Sequence, residues 1–329
     1  MKKKIIISFW TPQSVLDNFD GDFEFIYPKE AVTGLFTDDE VKSLLPGADA
    51  VLISTTAVDK TMIDLGVNLK AIGRLGVGCD SVDYVYAGKK GIPVINTPLT
   101  VTHSTAELTI AIMLDVARSI TYMDKKLRRE KQCFNVYSFE TTASSLYGKT
   151  LGIVGFGRIG KAVGKKAHGL GMKIIYSDTI SAPKDVEDAI CATQVDLEYL
   201  LGASDFVSIH CPYTPENHHL INDGTIAMMK PAAYLINAAR GKLVDEGSLV
   251  KALDNKTIKG AALDVYEFEP CIRQELLGMD NVVLAPHIGT WNYDTRIEMA
   301  LESLTGLITV LKGGTPPNIF NEAYLVKQN

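Results

Sequence analysis

The feature that most constrains this chain is Gly155-Phe156-Gly157-Arg158-Ile159-Gly160, and its position matters as much as its composition. It follows an apolar run, Leu151-Gly152-Ile153-Val154, that reads as a buried strand, and it precedes a helical stretch over 161–170. In such a turn Gly155 permits the tight bend, Gly157 lets backbone approach a pyrophosphate, and Gly160 lets helix and strand pack closely. The helix N-terminus then offers N–H groups and a positive dipole end to phosphate. The next apolar run, Lys173-Ile174-Ile175-Tyr176, leads to an acid, Asp178. It stands eighteen positions after Gly160, close to the roughly 20 expected of a ribose-binding carboxylate. The spacing predicts a dinucleotide site on Gly155, Phe156, Gly157, Arg158, Ile159, Gly160 and Asp178. Asp178 would repel a 2′-phosphate and no Arg or Lys stands at 179–183, so NAD is expected rather than NADP. Roughly 150 residues precede the motif, enough for another domain.

A length of 329 residues fits two domains. The net charge of −6 argues against a nucleic-acid partner, which needs a basic surface. The basic run Lys125, Lys126, Arg128, Arg129 and Lys131 reads as a solvated helix face. The five cysteines, Cys79, Cys133, Cys191, Cys211 and Cys271, are odd in number and widely spaced, with no CxxC. That pattern argues against a disulfide framework or a structural metal site and points to a reducing, cytoplasmic setting. The N-terminal lysines and the run from Ile5 to Trp10 are too short for a signal peptide and read as a first buried strand. No stretch approaches 18 uninterrupted apolar residues, so no membrane span is expected.

Short apolar runs alternate with helical patterns, which implies parallel sheets covered by helices. Strands are expected at 4–9, 50–54, 71–75 and 93–95, with a helix near 38–45. One long helix is expected over 104–131, with Leu108, Ile112, Leu114, Val116, Ile120 and Met123 on its apolar face. Thr100 to Ser104 offers it caps, and Glu107 suits its first turn. Residues 132–150 look irregular and aromatic, with Phe134, Tyr137, Phe139 and Tyr147. A second series follows, with strands at 150–154, 173–176, 206–209, 234–237, 260–263 and 282–285. A helix over 294–312 should fold back onto the first series.

The ends of the second series carry chemistry: Asp178, His210, Arg240, Asp264 and His287. Ligands of open parallel sheets lie beyond the carboxyl ends of the strands. His210-Cys211-Pro212 starts a proline-rich loop that reads either as a cover for the cofactor or as a structural turn. His218 and His219 read as surface residues. Arg240, among small residues including Ala238, could hold a carboxylate through its fork of donors. Glu269 belongs to an acid-rich stretch beside a strand, and His287 closes another strand. A histidine with a nearby carboxylate is a general acid/base candidate.

The chain resembles D-isomer-specific 2-hydroxyacid dehydrogenases of the glyoxylate/hydroxypyruvate reductase and phosphoglycerate dehydrogenase kind. The matching stretches are Gly76-Val77-Gly78-Cys79-Asp80-Ser81-Val82-Asp83, Asn96-Thr97-Pro98, Thr105-Ala106-Glu107-Leu108, and the glycine loop with the strand before it. Further matches are Asn237-Ala238-Ala239-Arg240-Gly241, Ala262-Leu263-Asp264-Val265, Glu269-Pro270 and Pro286-His287-Ile288-Gly289. The resemblance implies two doubly wound α/β domains, Rossmann-like and flavodoxin-like, with the active-site cleft between them. Residues 1–100 with 290–329 would form the substrate-binding domain. Residues 101–289 would form the NAD-binding domain, including a homodimerisation segment at 104–147.

The resemblance also implies roles. Arg240 would hold the substrate carboxylate and carbonyl oxygen, His287 would protonate that oxygen, and Glu269 would favour the protonated histidine. Backbone N–H groups of Val77 and Gly78 would bind the carboxylate. His210, Cys211, Pro212, Ala238 and Asp264 would border the cofactor, Asp264 mainly as a support. No metal is implied.

Departures refine the expectation. Ser81 replaces a frequent Asn, and Thr290-Trp291-Asn292 replaces a small-residue stretch. Trp291 either narrows the pocket or packs between domains or against a partner subunit. Ile53 stands where phosphoglycerate-type relatives often carry a basic residue, which counts against a phosphorylated substrate. The carboxylate at Glu269 counts against formate oxidation, and an end at Asn329 leaves no room for a C-terminal regulatory domain. The expected activity is NADH-dependent reduction of a small 2-keto acid (glyoxylate, hydroxypyruvate or a short aliphatic one) to the D-2-hydroxy acid. D-3-phosphoglycerate oxidation is the runner-up, and an NAD(H)-sensing, corepressor-like binding protein is the rival from another class.

Overall fold

Uniformly apolar runs four or five residues long, too short for helices and separated by helical segments, suit strands buried on both faces of a parallel sheet. The computed structural model of the protein, which describes residues 2–19, 21–30, 34–133 and 143–326, has that organisation. The chain divides into two units, Met1–Val101 with Thr290–Asn329, and Thr102–Gly289.

The described part of the first unit holds five parallel strands: β1 (Lys3–Ile7), β2 (Phe23–Ile26), β3 (Ala50–Ile53), β4 (Ala71–Arg74) and β5 (Val94–Ile95). Their order is β2-β1-β3-β4-β5, the flavodoxin-like arrangement. Consecutive residues of a strand face opposite ways. Ile6, Val51 and Ile72 therefore join one apolar layer with Val41, Leu45 and Met62. Ile5, Ile7 and Leu52 join another with Leu304, Leu307 and Leu311 of the helix Tyr293–Leu311. Gly73 on β4 is required by that contact, because a Cβ there would lie 2.9 Å from Leu52 Cδ1 and 3.0 Å from Leu307 Cδ1. The helix Asp38–Leu44 is started by Thr37, which forms a capping box with Glu40.

The described part of the second unit holds seven parallel strands: β6 (Thr150–Val154), β7 (Lys173–Ser177), β8 (Ala192–Gln194), β9 (Phe206–Ile209), β10 (Tyr234–Asn237), β11 (Gly260–Leu263) and β12 (Val282–Leu284). Their order is β12-β11-β10-β9-β6-β7-β8, so the winding reverses between β6 and β9. Leu151, Ile153 and Phe206 pack on one face with Ile112, Met113 and Val116 of the helix Val101–Arg118. Val207, Ile209 and Leu235 pack on the other with Leu200, Leu249 and Leu253.

Three local features differ from the sequence expectation. The long helix over 104–131 is two helices, Val101–Arg118 and Ile120–Glu130, broken at Ser119, whose φ of 54° is left-handed. The Asp115 carboxylate stabilises the break by accepting the Thr121 N–H at 2.8 Å. The earlier start also moves Glu107 out of the first turn, where it pairs with Lys166 at 3.1 Å. The strands β2 and β8 were not expected. Both are edge strands, and edge strands need only a weak apolar signal because one side is open. Phe134, Tyr137 and Phe139 lie outside the described residues, whereas Tyr147 is exposed. No described helix is long and apolar enough to cross a membrane.

Leu307→Ala tests the first unit's core. Leu307 is fully buried, and removing its isobutyl group should cost about 2–5 kcal/mol. Both tryptophans, Trp10 and Trp291, lie in this unit, so their fluorescence in a urea titration reports its unfolding. A change below about 1 kcal/mol would contradict the packing described.

Candidate active site

Strands β6 and β9 are neighbours, with Val154 opposite Ile209, and their carboxyl ends flank the point where strand order reverses. A parallel sheet opens a ligand crevice at such a point. The loops leaving the two strands are interlocked. The His210 N–H donates to the Val154 carbonyl at 2.7 Å. Gly155 has φ +90°, and a Cβ on it would lie 2.4 Å from the Cys211 nitrogen. A Cβ on Gly160 would lie 2.3 Å from the Gly155 oxygen. These two glycines are therefore demanded by the protein's own packing.

Gly157 is different. A Cβ there meets nothing within 4 Å, and no side chain caps the helix Arg158–Gly169 that it starts. That leaves open room and N–H groups of the kind that a pyrophosphate uses. Asp178, just past β7, accepts the Phe156 N–H at 2.6 Å and the Ile180 N–H at 3.1 Å. The residues present thus fit a dinucleotide.

Other residues expected around the cofactor have varied surroundings. The Phe156 side chain is buried and stacks on Tyr176 at 4.1 Å, so its ring belongs to the core and not to a ligand site. Arg158 is exposed and Ile159 half-buried. His210 bonds Ser208 Oγ at 2.8 Å, and burial holds its imidazole well below the usual value. Burial pushes the Cys211 thiol up to about 11. Pro212 is exposed and Ala238 is buried.

Strands β10, β11 and β12 deliver the charged residues. Asn237, the buried last residue of β10, shapes the turn that presents Arg240. Its Oδ1 accepts the Ala239 N–H at 3.0 Å, and its Nδ2 donates to the Arg240 carbonyl at 2.9 Å. Beyond β11, Glu269 Oε1 accepts the Tyr266 N–H at 2.9 Å, while Oε2 lies 2.9 Å from His287 Nδ1. Burial raises the Glu269 carboxyl, but its bonds to His287 and Tyr266 and the charges of His287 and Arg240 outweigh that and leave it below the ordinary value.

His287 itself has a left-handed φ of 54°, a conformation that costs a non-glycine residue about 1–3 kcal/mol. Its surroundings impose it. Asp264 is 1% exposed and accepts the N–H groups of Ile288 at 2.7 Å and Gly289 at 2.9 Å. Ser104 Oγ donates to the Gly289 carbonyl at 2.7 Å, and the Tyr266 hydroxyl donates to the Ala285 carbonyl at 2.8 Å.

The second unit thus brings Arg240, Glu269 and His287 together with Asp264 behind the histidine loop. The sequence offers Ser104 only as a helix cap and Asn237 only within a matching stretch, and gives neither of them, nor Tyr266, a part in holding the site. Only a polar residue ending a strand (Asn237), or a tyrosine three positions from the acid (Tyr266), hinted at them.

His219 also differs from its expected surface role. Its Nε2 lies 2.7 Å from Glu267 Oε1, and its ring stacks on His218 with centroids 3.8 Å apart. The left-handed φ of His219 removes the regular geometry that would have pointed the two rings apart. Among the described residues no group of three or more His, Cys, Asp or Glu could hold a metal.

In the first unit, Val77 and Gly78 follow β4. Their loop is fixed by Asn96 Nδ2 donating to the Val77 carbonyl at 2.8 Å and by the Thr97 N–H donating to the Gly76 carbonyl at 2.9 Å. Ile53 is fully buried, and Trp291 is 67% exposed.

The pH dependence of stability tests the Asp264 contact. Burial raises its carboxyl to about 6, against the lowering effects of the Ile288 N–H, the His287 charge and the Gly289 N–H. The unfolded value is about 3.9. A raised folded value means the folded state holds the proton more tightly, so this stability is present below about pH 4 and lost as pH rises through about 6. Relative to Asp264→Asn, the wild type should lose on the order of 2 kcal/mol of unfolding free energy between pH 4 and 7. A pH-independent difference would contradict the burial of an ionisable Asp264.

The model of the D-isomer specific 2-hydroxyacid dehydrogenase, NAD binding domain, matches residues 110–289. The glyoxylate reductase of Thermococcus litoralis is 40% identical over 99% of this chain and 98% of its own. The crystal structure of the TT0316 protein of Thermus thermophilus superposes with a TM-score of 0.87 at 34% identity, covering 96% of this chain and 99% of that one. The NADPH-dependent glyoxylate/hydroxypyruvate reductase of Sinorhizobium meliloti superposes with a TM-score of 0.83 at 27% identity, covering 100% of both chains. The chain belongs to the D-isomer specific 2-hydroxyacid dehydrogenases and is an NAD(P)-dependent oxidoreductase of that family.

Proposed function

We propose that the protein reduces a small 2-keto acid, such as glyoxylate, hydroxypyruvate or a short aliphatic keto acid, to the D-2-hydroxy acid with NADH. The observation that carries this reading is the 2.9 Å contact between His287 Nδ1 and Glu269 Oε2. A carboxylate only accepts, so Nδ1 carries the proton of that bond and Nε2 is the nitrogen left to serve a substrate. His287 Nε2 donates its proton to the carbonyl oxygen as that oxygen gains negative charge. Glu269, fixed by the Tyr266 N–H, holds the imidazole in position and balances its positive charge. Arg240 holds the carboxylate and lowers the energy of the developing alkoxide. The first unit is the substrate-binding domain, in which the N–H groups of Val77 and Gly78 serve as carboxylate donors. The second unit is the cofactor domain, where Gly155–Gly160, Asp178 and the loop at His210–Pro212 hold the dinucleotide, with Ala238 and Asp264 bordering it. The nicotinamide cofactor supplies the hydride when bound.

The relatives named for glyoxylate and hydroxypyruvate support a small substrate, and Ile53 supports an unphosphorylated one. Asp178 supports NADH, since its charge repels a 2′-phosphate. The protein is proposed to be a cytoplasmic homodimer built on 104–147, part of which lies outside the described residues. Exposed Ile120 and Leu127 lie in that segment.

A panel of 2-keto acids with NADH and with NADPH tests the reading, with chiral analysis of the product. The expected result is turnover of a small keto acid, at least tenfold preference for NADH, and a D product. Asp178→Ala should erode the cofactor preference. Silence across the panel combined with tight NADH binding would favour an NAD(H) sensor, and preference for 3-phosphoglycerate would overturn the substrate assignment.

A further inference from the structure

The acid-rich stretch after β11 contains more than Glu269. Glu267 is almost buried, and it faces a second buried carboxylate, Glu246, at the start of the helix Glu246–Asp254. The two are joined reciprocally. Glu246 Oε1 accepts the Glu267 N–H at 2.8 Å, and Glu267 Oε2 accepts the Glu246 N–H at 3.3 Å. The other oxygen of Glu267 pairs with His219 Nε2 at 2.7 Å, and the His219 N–H donates to the Lys242 carbonyl at 3.0 Å.

These bonds join the two segments that carry the reacting groups. Lys242 stands two residues after Arg240, and Glu267 two residues before Glu269. Between them the backbones are in direct contact, since a Cβ on Gly241 would lie 1.9 Å from the Tyr266 carbonyl carbon. Two carboxylates side by side in a dry place are costly. Burial, and then the Glu267 and Glu269 charges, push Glu246 above its usual value despite the Glu267 N–H and the Arg273 charge. Apolar side chains would fill that space at less cost if filling were all it required.

We propose that Glu246 and Glu267 are positioning residues of the reductase centre, a reciprocal carboxylate clamp that fixes the Arg240 turn against the Glu269 turn. The clamp touches neither substrate nor cofactor and acts through the backbones on either side of it. It rests on the roles proposed above for Arg240 and Glu269.

The test compares Glu246→Ala with Glu246→Gln and with Arg240→Lys, using the keto acid turned over best by the wild type. Glu246→Gln keeps the oxygen that accepts the Glu267 N–H, whereas Glu246→Ala removes it. Glu246→Ala should lower kcat about 10–100-fold and raise the substrate KM, because small misplacements of a reacting group cost about that much. Its NADH Kd should be unchanged, and the isotope effect with 4-deuterated NADH should rise as hydride transfer becomes limiting. Glu246→Gln should stay within about threefold of the wild type.

A merely structural role would lower the amount of active enzyme while leaving KM and the isotope effect unchanged, and that result would overturn the clamp. If Glu246→Ala does not fold, Glu267→Gln replaces it, with an expected loss of about 3–10-fold in kcat; unchanged kcat there would overturn the clamp. Impaired Arg240→Lys beside a normal Glu246→Ala sinks the clamp alone. Normal Arg240→Lys sinks the role of Arg240, and the clamp with it.

Discussion

Every strand in the two described sheets is parallel to its neighbours, and the site depends on that constraint. A parallel strand must be left at one edge of the sheet and the next entered at the other, so all carboxyl ends open on the same side. Asp178, His210, Arg240, Asp264 and His287 each lie within a few residues of such an end. The sheet thereby gathers residues that are far apart in sequence. The price of this economy is that the loops must be fixed individually, since the ladder of backbone hydrogen bonds ends at about the first residue past each strand, as at His210 and Asp264.

Buried polar groups supply that fixation. Asp264 gathers two N–H groups behind His287, Asn237 closes the turn under Arg240, and Tyr266 joins its N–H to Glu269 and its hydroxyl to Ala285. Each such group costs free energy to bury and recovers it only when its geometry is satisfied. A left-handed histidine and glycines packed against neighbouring backbone fit the same account. His287 carries its strain at a position where a side chain has to be aimed.

Much of this was legible in the sequence, because much of it is periodic. Fully buried strands such as Ala50–Ile53 and Tyr234–Asn237 announce themselves as apolar runs, and the glycine loop declares its turn through the residues that it cannot contain. What was not legible is long-range or locally cancelled. Phe23–Ile26 becomes a strand because β1 offers it an edge, each residue pairing with one twenty positions earlier, as Lys3 with Phe23. Ser119 breaks a helix whose apolar spacing continues past it, because Asp115 caps the next one. Phe156 resembles any member of the glycine motif, yet its ring belongs to the core beneath it. His219 gains its partner from a segment 48 positions away.

The central claim is that Glu269 acts through His287. A double-mutant cycle tests it most directly, with kcat/KM for the preferred keto acid measured in the wild type, Glu269→Gln, His287→Ala and the double variant. The account predicts strong non-additivity: the double variant should be no slower than His287→Ala, because Glu269 has nothing left to position. Losses that multiply, or near-normal turnover in His287→Ala, would contradict it.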